Sequence, residues 1–231
     1  MNWQREKEKR NAAFKAIEYV EEGMVLGLGT GTTVYYFLKA LGKEIKESHF
    51  KIKCVPSSVE TEKIAREFGI PLTTLQEEPL LDLTVDGADE VDKAFNLIKG
   101  GGGALLREKL LASNSKKEII IVDSSKLVEK LGGFPLPVEV VQFGVELTKR
   151  KLEGLGAKVE HRRKEGELFV TDNGNYILDC QFAAIEEPKK LETIINLIPG
   201  VVENGLFVGL VDMVLVGEGD EVKVLKKGKG K

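Results

Sequence analysis

Cysteine is nearly absent. Cys54 and Cys180 are the only two in 231 residues. Two thiols build no disulfide framework and no CxxC pair, so each is read as a small buried hydrophobe in a reducing, cytoplasmic setting. Histidine is as scarce, with His49 and His161 alone. Without a Cys/His cluster no zinc site or other metal is expected, and any acid–base chemistry falls to carboxylates. No apolar run approaches the roughly 20 residues of a membrane-spanning helix. The opening stretch "MNWQREKEKRNAAF" is too charged to be expected as a secretory signal. A net charge of −3 and a pI near 5.7 argue against a general nucleic-acid surface. The basic end "KKGKGK" is read as a solvated tail. Glutamine is scarce while lysine and glutamate abound, a mix that points towards a thermophilic source.

What is present alternates. A helix through "EKEKRNAAFKAIEYVEE", with Ala13, Ile17 and Val20 on one face and Gly23 as its stop, precedes "MVLGLGTGTTVYYFLKAL", read as strand, turn and helix. "FKIKCVPSS", "LLDLTVDGADE" and "KEIIIVDSSK" read as strands ending in polar turns. "SVETEKIAREFG" and "ALLREKLLASNS" read as helices. Strands alternating with helices imply a Rossmann-like parallel sheet with helices on its faces. Such sheets bind ligands at the carboxyl ends of their strands. Here those ends read "GTGTT", "PSS", "DGADE" and "DSSK". After "GGFPLP" the order becomes β-α-β-β-α-β, a smaller ferredoxin-like α+β unit. The closing "VDMVLVGEGDEVKVL" reads as a hairpin that rejoins the first domain. The expected domains are therefore 1–131 plus 206–231, and 132–205.

"GLGTGTT" follows a strand and opens a helix, the setting in which free N–H groups and the helix dipole favour an anion. Thr30, Thr32 and Thr33 add hydroxyls, and Gly31 lets a ligand approach the backbone. A dinucleotide fingerprint would want glycine at position 32 and an acidic residue after the second strand, where "CVPSS" stands instead. A P-loop would need Gly-Lys-Ser/Thr. Three readings remain for the turn: the phosphate of a small ligand, a nucleotide, or structure alone.

Asp86 and Asp89 sit three apart at a strand end, where aspartate also serves ordinary turns. Lys99 directly precedes Gly100, Gly101, Gly102 and Gly103, and these precede a helix. Backbone N–H groups, a helix N-terminus and an ammonium together suit an oxyanion; the competing reading is a flexible linker. Glu108 lies in that helix with Ala104 and Ala112 one turn away on its face. Small neighbours leave room for a ligand, and partial burial would tune the carboxylate towards a general base. The competing reading is a solvated charge like Arg107 or Lys109.

The motifs "GLGTGTT", "VDGADE", "IKGGGGALLREK", "DSSK", "GGFPLPVEV", "VTDNGNYILD" and "IPGVVENGLF" occur in this order along essentially the whole chain. In that combination the sequence closely resembles ribose-5-phosphate isomerase, type A. It departs in Thr32, where serine is common, and in the extra glycine at Gly103; neither removes a functional group. The resemblance implies interconversion of ribose 5-phosphate and ribulose 5-phosphate in the pentose phosphate pathway through a cis-enediolate, with no cofactor and no metal. It implies Glu108 as the base between C1 and C2, and Lys99 with the glycine backbone as the oxyanion stabiliser. Asp86 would open the sugar ring and shuttle hydroxyl protons, and Asp89 would bind hydroxyls. Thr30, Thr32 and Thr33 would hold the phosphate or nearby hydroxyls, with Lys9 and Lys126 at the phosphate end and Ser57 and Ser58 nearby. Glu90 receives no catalytic role. The partners implied are a phosphorylated pentose and further copies of the chain in a homodimer or homotetramer, with neither nucleic acid nor membrane. Two competing readings stand beside it: a non-catalytic sugar-phosphate sensor, and another sugar-phosphate enzyme such as an amino-sugar deaminase or a lactonase.

Overall fold

The structure is a computed structural model that describes residues 3–49 and 51–228. Met1, Asn2, Phe50, at the start of the expected second strand, and residues 229–231 of the basic tail lie outside it. The first elements are α1 (Trp3–Ile17), β1 (Val25–Leu28), α2 (Thr32–Ser48), β2 (Lys53–Pro56), α3 (Val59–Glu67) and β3 (Leu83–Asp86). Next come β4 (Glu90–Val91), β5 (Leu97–Ile98), α4 (Leu105–Ser113), β6 (Glu118–Asp123) and a single 3-10 turn, Ser124–Lys126. Then follow β7 (Leu136–Val140), α5 (Val145–Glu153), β8 (Lys158–His161), β9 (Arg163–Lys164), β10 (Glu167–Leu168) and β11 (Tyr176–Gln181). The chain ends with α6 (Pro188–Asn196), β12 (Val201–Asn204), β13 (Leu206–Phe207), β14 (Met213–Glu218) and β15 (Glu221–Lys226).

These elements form two compact units: Met1–Ala88 with Arg107–Lys126 and Leu210–Lys231, and Asp89–Leu106 with Leu127–Gly209. In the first, six strands run in the order β15-β14-β6-β3-β1-β2. All neighbours are parallel except the edge strand β15, which folds back on β14 as a hairpin. The apolar run 119–122 of β6 is buried, as expected of a strand covered on both faces, and so are Glu118 and Asp123 at its ends. Val34, Phe37, Leu38 and Leu41 of α2 repeat at helical spacing and enter the core with Leu26, Leu28, Val85, Ile119 and Leu215. α1 buries Ala12, Ala13 and Ala16 against β6 and β14, small residues that let the helix lie close. It ends at Ile17, short of the expected stop at Gly23; a turn closed by Val20 N–H to the Ile17 carbonyl takes over.

In the second unit a four-stranded antiparallel sheet has the order β12-β7-β11-β8, with α5 between β7 and β8 and α6 between β11 and β12. That is the ferredoxin-like pattern. Leu136, Val138, Leu178, Leu152 and Ile195 fill its core. Beside it is an element the sequence did not reveal, a small sheet of β13, β5 and β4. Each of those strands has two residues, too few for any periodicity to register. Among the described residues, no helix is long and apolar enough to cross a membrane.

Candidate functional site

In the first unit, β1, β3 and β6 end in Gly29–Thr33, Asp86 and Asp123–Lys126. Gly29 is required where it stands: a Cβ there would lie 2.0 Å from Asp86 Oδ1 and 2.6 Å from the Asp86 Cα. That approach lets the Thr30 N–H donate to Asp86 Oδ1 at 3.1 Å, an oxygen that also accepts from the Gly87 N–H at 2.7 Å. Asp86 is 1% exposed. Its carboxylate thus ties the glycine-threonine turn to the acidic turn.

The hydroxyls behind that turn form a directed chain. Thr61 donates to the Gly29 carbonyl at 2.8 Å, Ser58 to Thr61 at 3.0 Å, and Thr30 to Ser58 at 2.9 Å. A hydroxyl has one proton to give, so Ser57, 2.7 Å from Thr30, is the donor there. Ser58 also caps α3 by accepting from the Thr61 N–H. Thr30, Ser57 and Ser58 therefore shape the turn from behind. Ligand-facing capacity falls on Gly31, Thr32 and Thr33, whose N–H groups and hydroxyls have no partner among the described residues. Gly31 is the N-cap of α2, at φ 121°, without a capping side chain and with open space at its Cβ position. An uncapped helix N-terminus of this kind suits an anion.

Lys9 on α1 donates to Glu6 Oε1 at 2.8 Å, and the Tyr36 hydroxyl donates to Glu6 Oε2 at 2.8 Å. The Lys9 bond, then the Tyr36 bond, hold the Glu6 carboxyl below its ordinary pKa, and the Glu6 bond raises that of Tyr36. Lys126, half-buried in the 3-10 turn, has no ion pair among the described residues. That turn is held by Asp123, which accepts from the Ser125 N–H at 3.1 Å and from its hydroxyl, and by Glu8, which accepts from the Ser124 hydroxyl at 2.8 Å. Glu108 projects from α4 and is 3% exposed, not a solvated charge.

In the second unit Asp89 Oδ2 accepts from the Gly101 N–H at 2.7 Å. A Cβ on Gly101 would lie 2.5 Å from that carboxylate. Gly100 and Gly103 take φ of 97° and 86°, and the Gly103 N–H closes a turn on the Gly100 carbonyl at 2.9 Å. Gly103 also faces Phe169, whose ring would be 2.4 Å from a Cβ. The glycine run is thus an ordered turn and not a slack linker. Lys99 is 2% exposed; its ammonium lies 5.3 Å from the centre of the Phe207 ring, and its N–H donates to the Gly205 carbonyl at 2.9 Å. Glu90 turns elsewhere, accepting from the Gly132 N–H at 2.8 Å and the Phe134 N–H at 2.6 Å. Three participants escaped sequence reasoning: Glu8, Phe207 and Arg162, which donates to the Gly100 carbonyl at 2.7 Å. An isolated charge or ring on a helix or strand carries no signal of the distant backbone it will meet.

Among the described residues no group of three or more His, Cys, Asp or Glu is arranged to hold a metal ion. The parallel sheet of the first unit, with the uncapped glycine turn after β1, defines the class: a Rossmann-like α/β protein. The family model for ribose 5-phosphate isomerase A (phosphoriboisomerase A) matches residues 53–221. Ribose-5-phosphate isomerase A of Methanothermobacter thermautotrophicus is 47% identical over 220 residues, covering 94% of this chain and 97% of the relative. That of Streptococcus gordonii is 50% identical over 221 residues, covering 96% and 98%. Among solved structures, ribose 5-phosphate isomerase A from Methanocaldococcus jannaschii superposes with a TM-score of 0.91 at 43% identity, covering 95% of this chain and 98% of that one. A D-ribose-5-phosphate isomerase in complex with phospho-erythronic acid gives a TM-score of 0.94 at 40% identity, covering 98% and 100%. The chain belongs to the ribose 5-phosphate isomerase A family.

Proposed function

We propose that the protein is an aldose-ketose isomerase interconverting D-ribose 5-phosphate and D-ribulose 5-phosphate in the non-oxidative pentose phosphate pathway. One observation carries the reading beyond kinship. Asp86, Lys99 and Glu108 are each no more than 3% exposed. Burying a charged side chain is costly, and such groups concentrate where chemistry needs them. Glu108 is the base that carries a proton between C1 and C2. Lys99 and the N–H groups of Gly100–Gly102 stabilise the oxygen of the cis-enediolate. Asp86 assists ring opening and hydroxyl proton transfer, and Asp89 binds hydroxyls and steadies the glycine turn. Gly31, Thr32 and Thr33 take the phosphate, with Lys9 and Lys126 supplying charge and Thr30 supporting the turn. A base typically contributes about 10²–10⁴-fold and an oxyanion donor about 10²–10³-fold, so the two act together.

The second unit, with its exposed Phe143 and Leu147, serves assembly into a homodimer or homotetramer. The setting is the cytoplasm. A coupled assay with ribose 5-phosphate in the presence of EDTA tests the function. Turnover to ribulose 5-phosphate that survives the chelator is expected. Binding of the sugar phosphate without isomerisation would favour a sensor instead.

A further inference from the structure

Arg162 follows β8, and its side chain is 13% exposed. Its Nε donates to Asp179 Oδ2 at 3.0 Å while Nη2 donates to Asp179 Oδ1. Two parallel bonds to one carboxylate fix the plane of the guanidinium, and with it the direction of Nη1. That nitrogen donates to the Gly100 carbonyl at 2.7 Å and to the Gly101 carbonyl at 3.1 Å. In a trans peptide the N–H points opposite to the carbonyl. Holding these two carbonyls therefore turns the N–H groups of Gly101 and Gly102 away from the arginine. The Gly101 N–H meets Asp89 Oδ2. The Gly102 N–H has no acceptor among the described residues, and Gly102 is exposed.

Glycine peptides reorient at little steric cost, so a run of four would not by itself hold an N–H in one direction. Asp89 bonds the first of these two peptides; the second is the central peptide of the 100–103 turn, which can still flip, and among the described residues Arg162 alone bonds it directly. A guanidinium on the carbonyl also polarises the peptide and strengthens its N–H as a donor. We propose that Arg162, clamped by Asp179, is a positioning residue for the isomerisation, holding the Gly101–Gly102 peptide so that the Gly102 N–H donates to the enediolate oxygen. This rests on the reading of the glycine turn as the oxyanion site. Among the described residues the guanidinium hydrogen-bonds only Asp179 and the two glycine carbonyls.

The test compares Arg162→Met, Arg162→Lys and the double variant Arg162→Met with Asp179→Leu, which removes the pair without stranding a carboxylate. Turnover, KM, thermal midpoint and the Gly102 amide resonance with and without phosphoerythronate are measured for each. The expected result is a kcat about 10–100-fold lower in all three, the scale of a weakened oxyanion donor. KM should stay within about threefold, since ground-state binding is little changed. The double variant should recover the thermal midpoint but not kcat. A kcat that recovers along with the midpoint, or folded variants within about twofold of the parent kcat, would overturn the proposal and leave Arg162 a structural ion pair. If phosphoerythronate leaves the Gly102 resonance unmoved in the parent protein, the oxyanion reading itself is wrong. If the resonance moves equally in the parent and in Arg162→Met, with kcat retained, the arginine inference alone is wrong.

Discussion

Glu108 illustrates how a residue's surroundings assign its work. Its helix also carries Arg107 and Lys109, which are half-buried, whereas Glu108 is enclosed. Glu108→Gln keeps size and shape but cannot accept the C–H proton. Its kcat should fall by about 10²–10⁴-fold, the range of a lost general base, while calorimetric affinity for ribose 5-phosphate stays close to that of the parent. Near-parental turnover would remove Glu108 from the base role. Thr30 carries the opposite lesson. Its hydroxyl was legible as a phosphate ligand, yet donates to Ser58, and its N–H donates to Asp86. Sequence indicates which residues have donors; only packing decides which donors are already spent. The thiols were easier to read. Cys54 and Cys180 are buried and free, and burial, with the Asp179 charge adding to it, pushes the Cys180 thiol up to about 12.

At the scale of elements, a buried carboxylate adds a polar tether to the alanine packing of α1 on the sheet. Glu8 accepts from the Ser124 N–H and hydroxyl, the Gly219 N–H and the Gln4 side chain. Gly217 lets the helix lie flush, since a Cβ there would meet the Glu8 carbonyl oxygen at 2.0 Å. Burial pushes the Glu8 pKa up, but the Gly219 bond and then the Ser124 and Gln4 bonds outweigh it and leave the pKa lowered. A carboxyl with a depressed folded pKa contributes stability that is complete above its unfolded pKa, near 4.3. That contribution is lost as the pH falls through the lower folded value. Glu8→Gln should therefore cost about 1–3 kcal/mol at neutral pH, a drop of roughly 3–8 °C in the midpoint. The gap should narrow as the pH falls below the unfolded pKa and through the lower folded value, where the parent side chain becomes protonated too. A gap of equal size across the range, in scanning calorimetry, would show that charge is not the cause. Helix α1 was readable from the face of Ala13, Ile17 and Val20, but this tether was not, because its Ser124 and Gly219 donors lie more than 100 residues away in sequence.

For the whole molecule, the alternation of strands and helices was enough to anticipate a parallel sheet followed by a ferredoxin-like unit, whereas the return of the C-terminal hairpin to the first sheet rested on the family resemblance. The small sheet of β4, β5 and β13 in the second unit was not anticipated. The second unit also leaves Phe143 93% exposed and Leu147 64% exposed beside the start of α5. Adjacent large apolar side chains in water favour burial by another chain. Light scattering at micromolar concentration should find a dimer or tetramer, and Phe143→Glu should shift it towards smaller species. A monomeric parent protein would refute the assembly. The sequence by itself determined the architecture, because apolar periodicity and turn residues are local properties that survive without partners. It also carried the family, because long motifs in fixed order mark kinship over the whole chain. Only the tertiary structure decided which charges are buried, which glycines are forced by close approach, and that Arg162 and Asp179 hold the glycine turn. Those depend on groups brought together across the fold, where direction and distance, not residue type, set what a hydrogen bond can do.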